Sequence, residues 1–253
     1  MTPDLFGVAL LDWVKGGKDP ASFERTDGAE SPSAGPEFYL AAFARWPEAE
    51  RQAMRLVQGR VLDVGCGAGR VALHLQERGH PVVSIDASPL AVRAARARGV
   101  RDVRCLTAAA VTNQLARFDT LVLFGNNFGM FGSPSALRRN LRQWARTARP
   151  GTRILAESIG PWGGGAPGVD RAYYRQATER GALPGAIRLR LRYRDQVGEW
   201  CDWLFVSVPE MRKLLEGTGW RPVAVLATRP GASYVAVLER VGENGRPTSS
   251  AWP

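Results

Sequence analysis

From Arg60 onward the chain alternates short apolar runs with Ala/Leu/Arg-rich stretches of helical period, and this rhythm constrains its fold more than any other feature. Arg60–Val64, Pro81–Ile85, Val103–Leu106, Phe118–Phe124 and Thr152–Ser158 read as strands. Between them, Arg70–Arg78, Ser88–Arg98 and Ser133–Ala148 read as helices, the last two opened by Ser-Pro. Strands alternating with helices of about 10–15 residues form βαβ units, which require a parallel sheet covered on both faces. Over residues 160–207 the rhythm breaks. There Gly163-Gly164-Gly165 reads as a flexible loop, Val169–Arg180 as a helix, and Ile187–Arg194 with Glu199–Ser207 as a hairpin around Asp195–Gly198. The pattern resumes with helix Pro209–Glu216 and strands Pro222–Ala227 and Tyr234–Glu239, joined too closely to be parallel.

Ahead of Arg60 the chain reads as helices. Thr2-Pro3 is the expected cap of a stripe running from Leu5 to Val14, and Gly16-Gly17 stops it. Residues 18–35 are expected to be loop, Pro36 to open a second helix, and Pro47–Val57 to form a third. The expected division is a helical cap at 1–58, an α/β core at 59–159, an inserted cap of helix and hairpin at 160–207, core completion at 208–240 and a disordered tail at 241–253.

No stretch approaches the roughly 20 apolar residues that span a bilayer, and Met1–Leu5 has no basic segment ahead of an apolar run, so a cytoplasmic protein without membrane contact is expected. Cys66, Cys105 and Cys201 are odd in number and scattered, which fits neither a disulfide framework nor a metal site. The net charge of +10 invites a nucleic-acid reading. Against it, the arginines do not interleave with aromatic residues in a stacking pattern.

The segment Val61-Leu62-Asp63-Val64-Gly65-Cys66-Gly67-Ala68-Gly69-Arg70 runs a buried strand through three glycines straight into a helix. Glycines admit positive φ and close ligand approach, and the helix start offers free N–H groups. The dinucleotide fingerprint G-x-G-x-x-G would place its third glycine where Arg70 stands. The spacing here is G-x-G-x-G, with Asp63 two residues ahead. An acid there suits a ligand with a cationic amino-acid end and repels a pyrophosphate. Asp86 closes the next strand, where a carboxylate can accept both hydroxyls of a ribose.

Together these residues resemble the class I S-adenosylmethionine-dependent methyltransferase superfamily, motif by motif over Arg60–Ser158 and by element order over Pro209–Glu239. The resemblance implies a doubly wound, Rossmann-like α/β sheet of seven strands in the order 3-2-1-4-5-7-6, with strand seven antiparallel. It implies S-adenosylmethionine as cofactor, its amino-acid end lined by Asp63, Gly65, Cys66, Gly67 and Gly69 and its ribose held by Asp86. Ala87, Thr107 and Ala108 would lie near the adenine, and Phe124 and Asn126 at the end of the fourth strand near the cofactor. In that last loop, Phe124–Gly132 does not match the Asn/Asp-Pro-Pro-aromatic motif of amino-base methyltransferases. Its Gly-Asn-Asn stretch and the later Trp200-Cys201-Asp202-Trp203 instead resemble small bacterial methyltransferases of unassigned substrate.

Methyl transfer from a sulfonium is a direct displacement, so positioning the acceptor supplies much of the acceleration. His74 and His80 are read as structural or solvated, and no His-based dyad is visible. Asp202 is the expected base or amine anchor, and Asn127 the expected orienting amide. Arg25, Tyr39, Phe43, Trp46, Tyr173, Tyr174, Trp200 and Trp203 are the expected acceptor contacts. The arginines alternating over 188–194 read as one wet strand face. The leading expectation is a methyltransferase for a small N or O acceptor, with an RNA or other macromolecular acceptor, or a non-catalytic cofactor-binding protein, as alternatives.

Overall fold

The computed structural model describes residues 4–111, 118–161, 171–228 and 233–242. The expected Thr2-Pro3 cap, the Gly163–Gly165 loop and almost all of the expected tail lie outside the described residues.

The N-terminal segment forms α1 (Leu5–Val14), strands β1 (Ala21–Arg25) and β2 (Glu30–Pro32), then α2 (Pro36–Tyr39) and α3 (Glu48–Met54). The alternating region gives β3 (Val61–Val64), α4 (Arg70–Glu77), β4 (Val82–Asp86), α5 (Pro89–Ala97) and β5 (Val103–Cys105). It continues with β6 (Thr120–Leu123), α6 (Pro134–Thr147) and β7 (Arg153–Ile159). The break in the rhythm holds α7 (Arg171–Glu179), β8 (Ala186–Tyr193), β9 (Gln196–Val197) and β10 (Cys201–Leu204). The chain then closes with α8 (Val208–Leu215), β11 (Trp220–Ala227) and β12 (Ser233–Arg240).

Seven strands form the main sheet in the order β11-β12-β7-β6-β3-β4-β5, all parallel except that β12 runs antiparallel to both its neighbours. This is the expected 3-2-1-4-5-7-6 order. Period-2 alternation sends each strand's side chains to two cores. Leu62, Val64, Leu121, Leu123, Ile154 and Ala156 meet α6 and α8 on one face, through Trp144, Leu141, Met211 and Leu215. Val61, Val122 and Leu155 meet α3 and α4 on the other, through Ala53, Met54, Val71 and Leu75. Asp63 and Glu157 share that second periodicity, so both carboxyls rise on the α3/α4 face.

Residues 18–35 are not loop. The β1–β2 hairpin joins the later insertion in a second, antiparallel sheet ordered β10-β8-β1-β2, with β9 also on β8. Local turn formers such as Asp27-Gly28 concealed strands whose partner lies far downstream in β8. The alternation Ile187-Arg188-Leu189-Arg190-Leu191-Arg192-Tyr193 then gives this sheet two unlike faces. On the outer face, Arg190 and Arg192 grip Glu24, and Arg188 stands beside Asp202. Arg190 and Arg192 hold the Glu24 carboxyl down at about 2. On the inner face, Ala21, Leu191 and Tyr193 pack onto Leu5, Ala9, Leu10 and Trp13 of α1.

The N-cap of α1 is Asp4, not Thr2. Its carboxylate accepts from Gly7 N within the helix and from Ser88 Oγ and Leu90 N at the start of α5. One side chain therefore caps α1 and fastens it to the start of α5. Asp4→Ala should destabilise the protein by about 1–2 kcal/mol, the usual range for a lost N-cap. Urea unfolding measures it; a loss below a few tenths of a kcal/mol would show the contact to be idle.

Candidate active site

The turn after β3 is built by backbone conformation. Gly65, Gly67 and Gly69 all have positive φ, at 72°, 52° and 79°. Gly65 N and Cys66 N donate to Ile85 O at 2.9 and 3.0 Å, fastening the turn to the end of β4. Asp86 holds it from the side: Oδ2 accepts from Gly67 N and Oδ1 from Ser88 N, both at 2.9 Å. Asn127 Nδ2, from the loop after β6, donates to Val64 O at 3.0 Å and Gly65 O at 2.8 Å. A Cβ on Gly65 would lie 2.5 Å from that amide nitrogen, so the contact demands glycine. Over Gly67, by contrast, a Cβ would meet nothing nearer than Leu10 Cδ1 at 3.5 Å, which leaves room above the turn.

Behind the turn lies a buried charge cluster. Arg70, the first residue of α4, donates to Glu50 through both terminal nitrogens at 2.6 and 2.5 Å, and its guanidinium is stacked by Phe38 and Trp46. Glu157 leans on Glu50 from β7, and its Oε2 accepts from Gly125 N and, at 3.3 Å, from Asn126 N. Burial, helped by Glu50, pushes the Glu157 carboxyl up to about 8. Asp63 is 2% exposed, and its Oδ2 has no partner among the described residues. Burial raises its carboxyl to about 7, with Arg70 opposing and Asp86 adding to the rise. Asp86 is also pushed upward, chiefly by burial and against the pull of its two backbone donors. A cradle with this surplus of buried acid favours a cation.

Beyond β6, Gly125 and Asn126 both adopt left-handed conformations, Asn126 at φ 61°. Asn is among the few residues with a side chain that tolerate it. The Asn126 side chain is buried, and its Oδ1 has no partner among the described residues.

Residues 61–151 match the family model described as "Methyltransferase domain". A structure of a SAM-dependent methyltransferase from Bacteroides fragilis, in complex with S-adenosyl-L-homocysteine, superposes with a TM-score of 0.76 at 27% identity, covering 94% of each chain. Residues 61–151 are thus a methyltransferase domain, and the chain has the fold of the class I S-adenosylmethionine-dependent methyltransferases. The superfamily's fold also appears in the CcbJ methyltransferase of Streptomyces caelestis, at a TM-score of 0.58 and 14% identity over 79% of this chain and 95% of that one. A 2-heptyl-1-hydroxyquinolin-4(1H)-one methyltransferase of Mycobacteroides abscessus is 37% identical over 107 residues, 39% of this chain. The match spans 45% of that relative's length.

The site of this methyltransferase fits the family's cofactor on three counts. The unpartnered Asp63 oxygen suits an ammonium, the room over Gly67 suits a ligand lying against the backbone, and Asp86 keeps lone pairs for a diol beyond its two backbone donors. Ala87 and Thr107 are exposed and Ala108 half-buried beside the ends of β4 and β5, while Cys66 and Phe124 are buried packing residues.

The other expected residues divide. Tyr39 is largely buried, stacked on Trp13, with Ser33, Arg70 and Glu157 close enough to affect its hydroxyl; burial raises it. Arg25, Tyr173 and Tyr174 meet beneath the second sheet, and Trp203 packs on Gly129. Trp46 is buried against Arg70, whereas Phe43 stacks on His74 at 3.9 Å, away from the turn. Asp202 and Trp200 belong to the outer face: Asp202 has a 67% exposed side chain beside Arg188, and Trp200 stacks under Arg190. Asp202 is thus not brought to the turn, because strand alternation points it opposite to Trp203. Asn127 has its amide nitrogen committed to the glycine turn, so it joins two loops. Glu50, Arg70 and Glu157 were not among the sequence expectations, although Glu157 stands out as an acid inside the apolar run Ile154–Ile159.

Asp63 and Glu157 make ligand-free stability depend on pH. Both ionise near pH 4 in an unfolded chain but hold their protons to about 7 and 8 when folded. Between those limits the folded state binds more protons, so stability falls as pH rises. Asp63→Asn should flatten this fall. Urea unfolding from pH 5 to 9 measures it, and equal slopes for both proteins would show Asp63 ionised throughout.

Proposed function

We propose that this methyltransferase acts on a small-molecule nitrogen or oxygen acceptor held between the glycine turn and the second sheet. The observation that carries the reading is the cap. The inner face of the β10-β8-β1-β2 sheet packs on α1 at one end and, through Trp203 and Leu204, on the Gly129 turn at the other. It stands over the carboxyl end of β6, where open α/β sheets bind ligands. A sheet laid across that end narrows the approach, which suits a small acceptor; a nucleic acid needs an open basic groove. On the outer face, Arg190 and Arg192 are taken up by Glu24 and Glu30, and past the end of β8 Arg194 is taken up by Asp12 and Asp19. The small aromatic acceptor in the name of the Mycobacteroides abscessus relative supports the same reading.

In this reading Asp63 receives the cofactor's ammonium directly or through water, and Gly65, Gly67 and Gly69 line its amino-acid end. Asp86 accepts the ribose hydroxyls, and Ala87, Thr107 and Ala108 lie toward the adenine. Bound S-adenosylmethionine supplies an electrophilic methyl on sulfur, open to in-line attack by an acceptor lone pair. The chain's part is to place that lone pair and keep water out. Asn126 is suited to orient the acceptor, because its buried Oδ1 can accept an N–H or O–H. Glu157 positions Asn126 by holding the backbone of the left-handed pair. Asn127 locks this loop to the glycine turn, so the two halves of the site keep a fixed spacing.

S-adenosylhomocysteine should raise the melting temperature and NAD should not, because only a ligand of the native state stabilises it. Equal shifts with both would remove the cofactor assignment. Turnover of phenol, amine and hydroxyquinolone panels beside RNA then tests the acceptor class; methylation of RNA alone would reject the capped-pocket reading.

Asn126→Gly keeps the left-handed backbone and deletes only the amide. It should lower kcat about 10–100-fold, the effect of losing one or two orienting hydrogen bonds, with S-adenosylhomocysteine affinity unchanged by calorimetry. Undiminished turnover would leave Asn126 a turn residue only.

A further inference from the structure

The inner face of the cap carries a guanidinium whose pairing is incomplete. Arg25 ends β1 opposite Leu189 of β8, which in turn lies opposite Cys201 of β10, and all three point inward. Arg25 is only 6% exposed. Its Nε and Nη2 donate to Asp27 at 2.9 and 2.5 Å, and the Tyr173 ring lies 4.3 Å from the guanidinium carbon. Tyr173 is pinned in turn by Thr26, hydroxyl to hydroxyl at 3.2 Å. Nη1 is buried and has no acceptor among the described residues.

Native proteins seldom leave a buried charged donor unmet, and such a group asks what meets it. The face beside it has a gap. Ile187 and Leu191 on either side of Leu189 are buried, yet Leu189 keeps part of its surface free and Cys201 is exposed. Phe23, on the same face, joins the α1–Tyr39 cluster, and Trp203 packs on the Gly129 turn. Arg25 therefore stands between the two places where the cap meets the core, its rigid fork fixed by Asp27 on one edge and by an aromatic ring on one face.

We propose that Arg25 anchors an acidic oxygen of the methyl acceptor, a carboxylate or the ionised oxygen of a phenol or enol, through Nη1. The proposal rests on the capped-pocket reading and gives it a substrate class: acceptors bearing an oxyanion remote from the methylated atom. Arginine suits the role better than lysine, because one planar group can hold Asp27 and still present a second donor at a set angle. Asp27 is partly exposed and lowers the net charge of the pair, so the anchor is weaker with Asp27 ionised than without it.

Calorimetric titration with benzoate, salicylate and the neutral benzamide, with S-adenosylhomocysteine present, tests the proposal. S-adenosylhomocysteine affinity is measured first and separately; its absence would count against the cofactor reading, and the anion titrations would then be run on the ligand-free protein. The wild type should bind the two carboxylates and not benzamide. Arg25→Met should weaken carboxylate binding by about tenfold or more, the loss expected for a charge-assisted hydrogen bond, and Arg25→Lys should not restore it. Asp27→Asn should tighten carboxylate binding, an outcome that a purely structural Arg25–Asp27 pair does not produce, and it decides the matter if Arg25→Met does not fold. No carboxylate binding by the wild type, binding that survives Arg25→Met, or binding that Asp27→Asn leaves equal or weaker would overturn the anchor.

Discussion

The fork between Arg70 and Glu50 is the interaction on which the rest of the site depends. It sets the charge balance beneath the glycine turn: one guanidinium faces Glu50, Glu157 and Asp63. Glu50 absorbs that charge through two short hydrogen bonds, and the other two acids are left without a full counter-charge. Both hold protons to near or above neutrality when no ligand is present. A ligand that brings an ammonium and a sulfonium relieves this imbalance, and one that brings a pyrophosphate worsens it. The discrimination that the glycine spacing suggests thus has a second, electrostatic source in residues outside the motif. Buried ion pairs of this kind contribute little net stability compared with apolar packing, but losing one partner strands the other. Their value here is in arranging the site.

The same cluster reaches across the sheet. Glu157 rises from β7 and holds the loop after β6, while Arg70 begins the helix after β3, so neighbouring strand ends are joined by these side chains and again by Asn127. Any shift of the glycine turn therefore drags on the Gly125–Asn127 loop. The left-handed Asn126 is held by these contacts, which overcome its modest conformational cost.

The main sheet was legible because its signal is local and repeated. Each strand is a short apolar run, each helix has its own start signal, and the order of elements follows from their alternation. The glycine turn and Asp86 were legible for the same reason. What stayed hidden depends on pairing across distance. Ala21–Arg25 looks like loop because Asp27-Gly28 and the polar alternation around it announce a turn, and the strand gains its apolar face only against β8. Trp200, Asp202 and Trp203 look like one group in the sequence, whereas in an extended strand Asp202 and Trp203 face opposite ways. Phe43, an expected acceptor contact, is half-buried and stacks on His74, a partner that nothing in the sequence marks. Glu50 looks like one acid among several on a polar helix, and nothing in its neighbours marks it as the residue that is buried.

The cap's construction sets an order of events for the folding chain. In the main sheet, β3 pairs with β4 and β4 with β5, strands that follow each other directly in the chain. Glu24 and Arg190, by contrast, meet across 166 residues, and closing so long a loop has an entropic cost that is recovered only when both strands are present. On the ribosome the β1–β2 hairpin emerges early and stays without its partner until β8 is made. The strands from β3 to β7 can thus pair well before β1 meets β8, whereas β11 and β12, which follow β8 and β10 in the chain, complete the main sheet only afterwards.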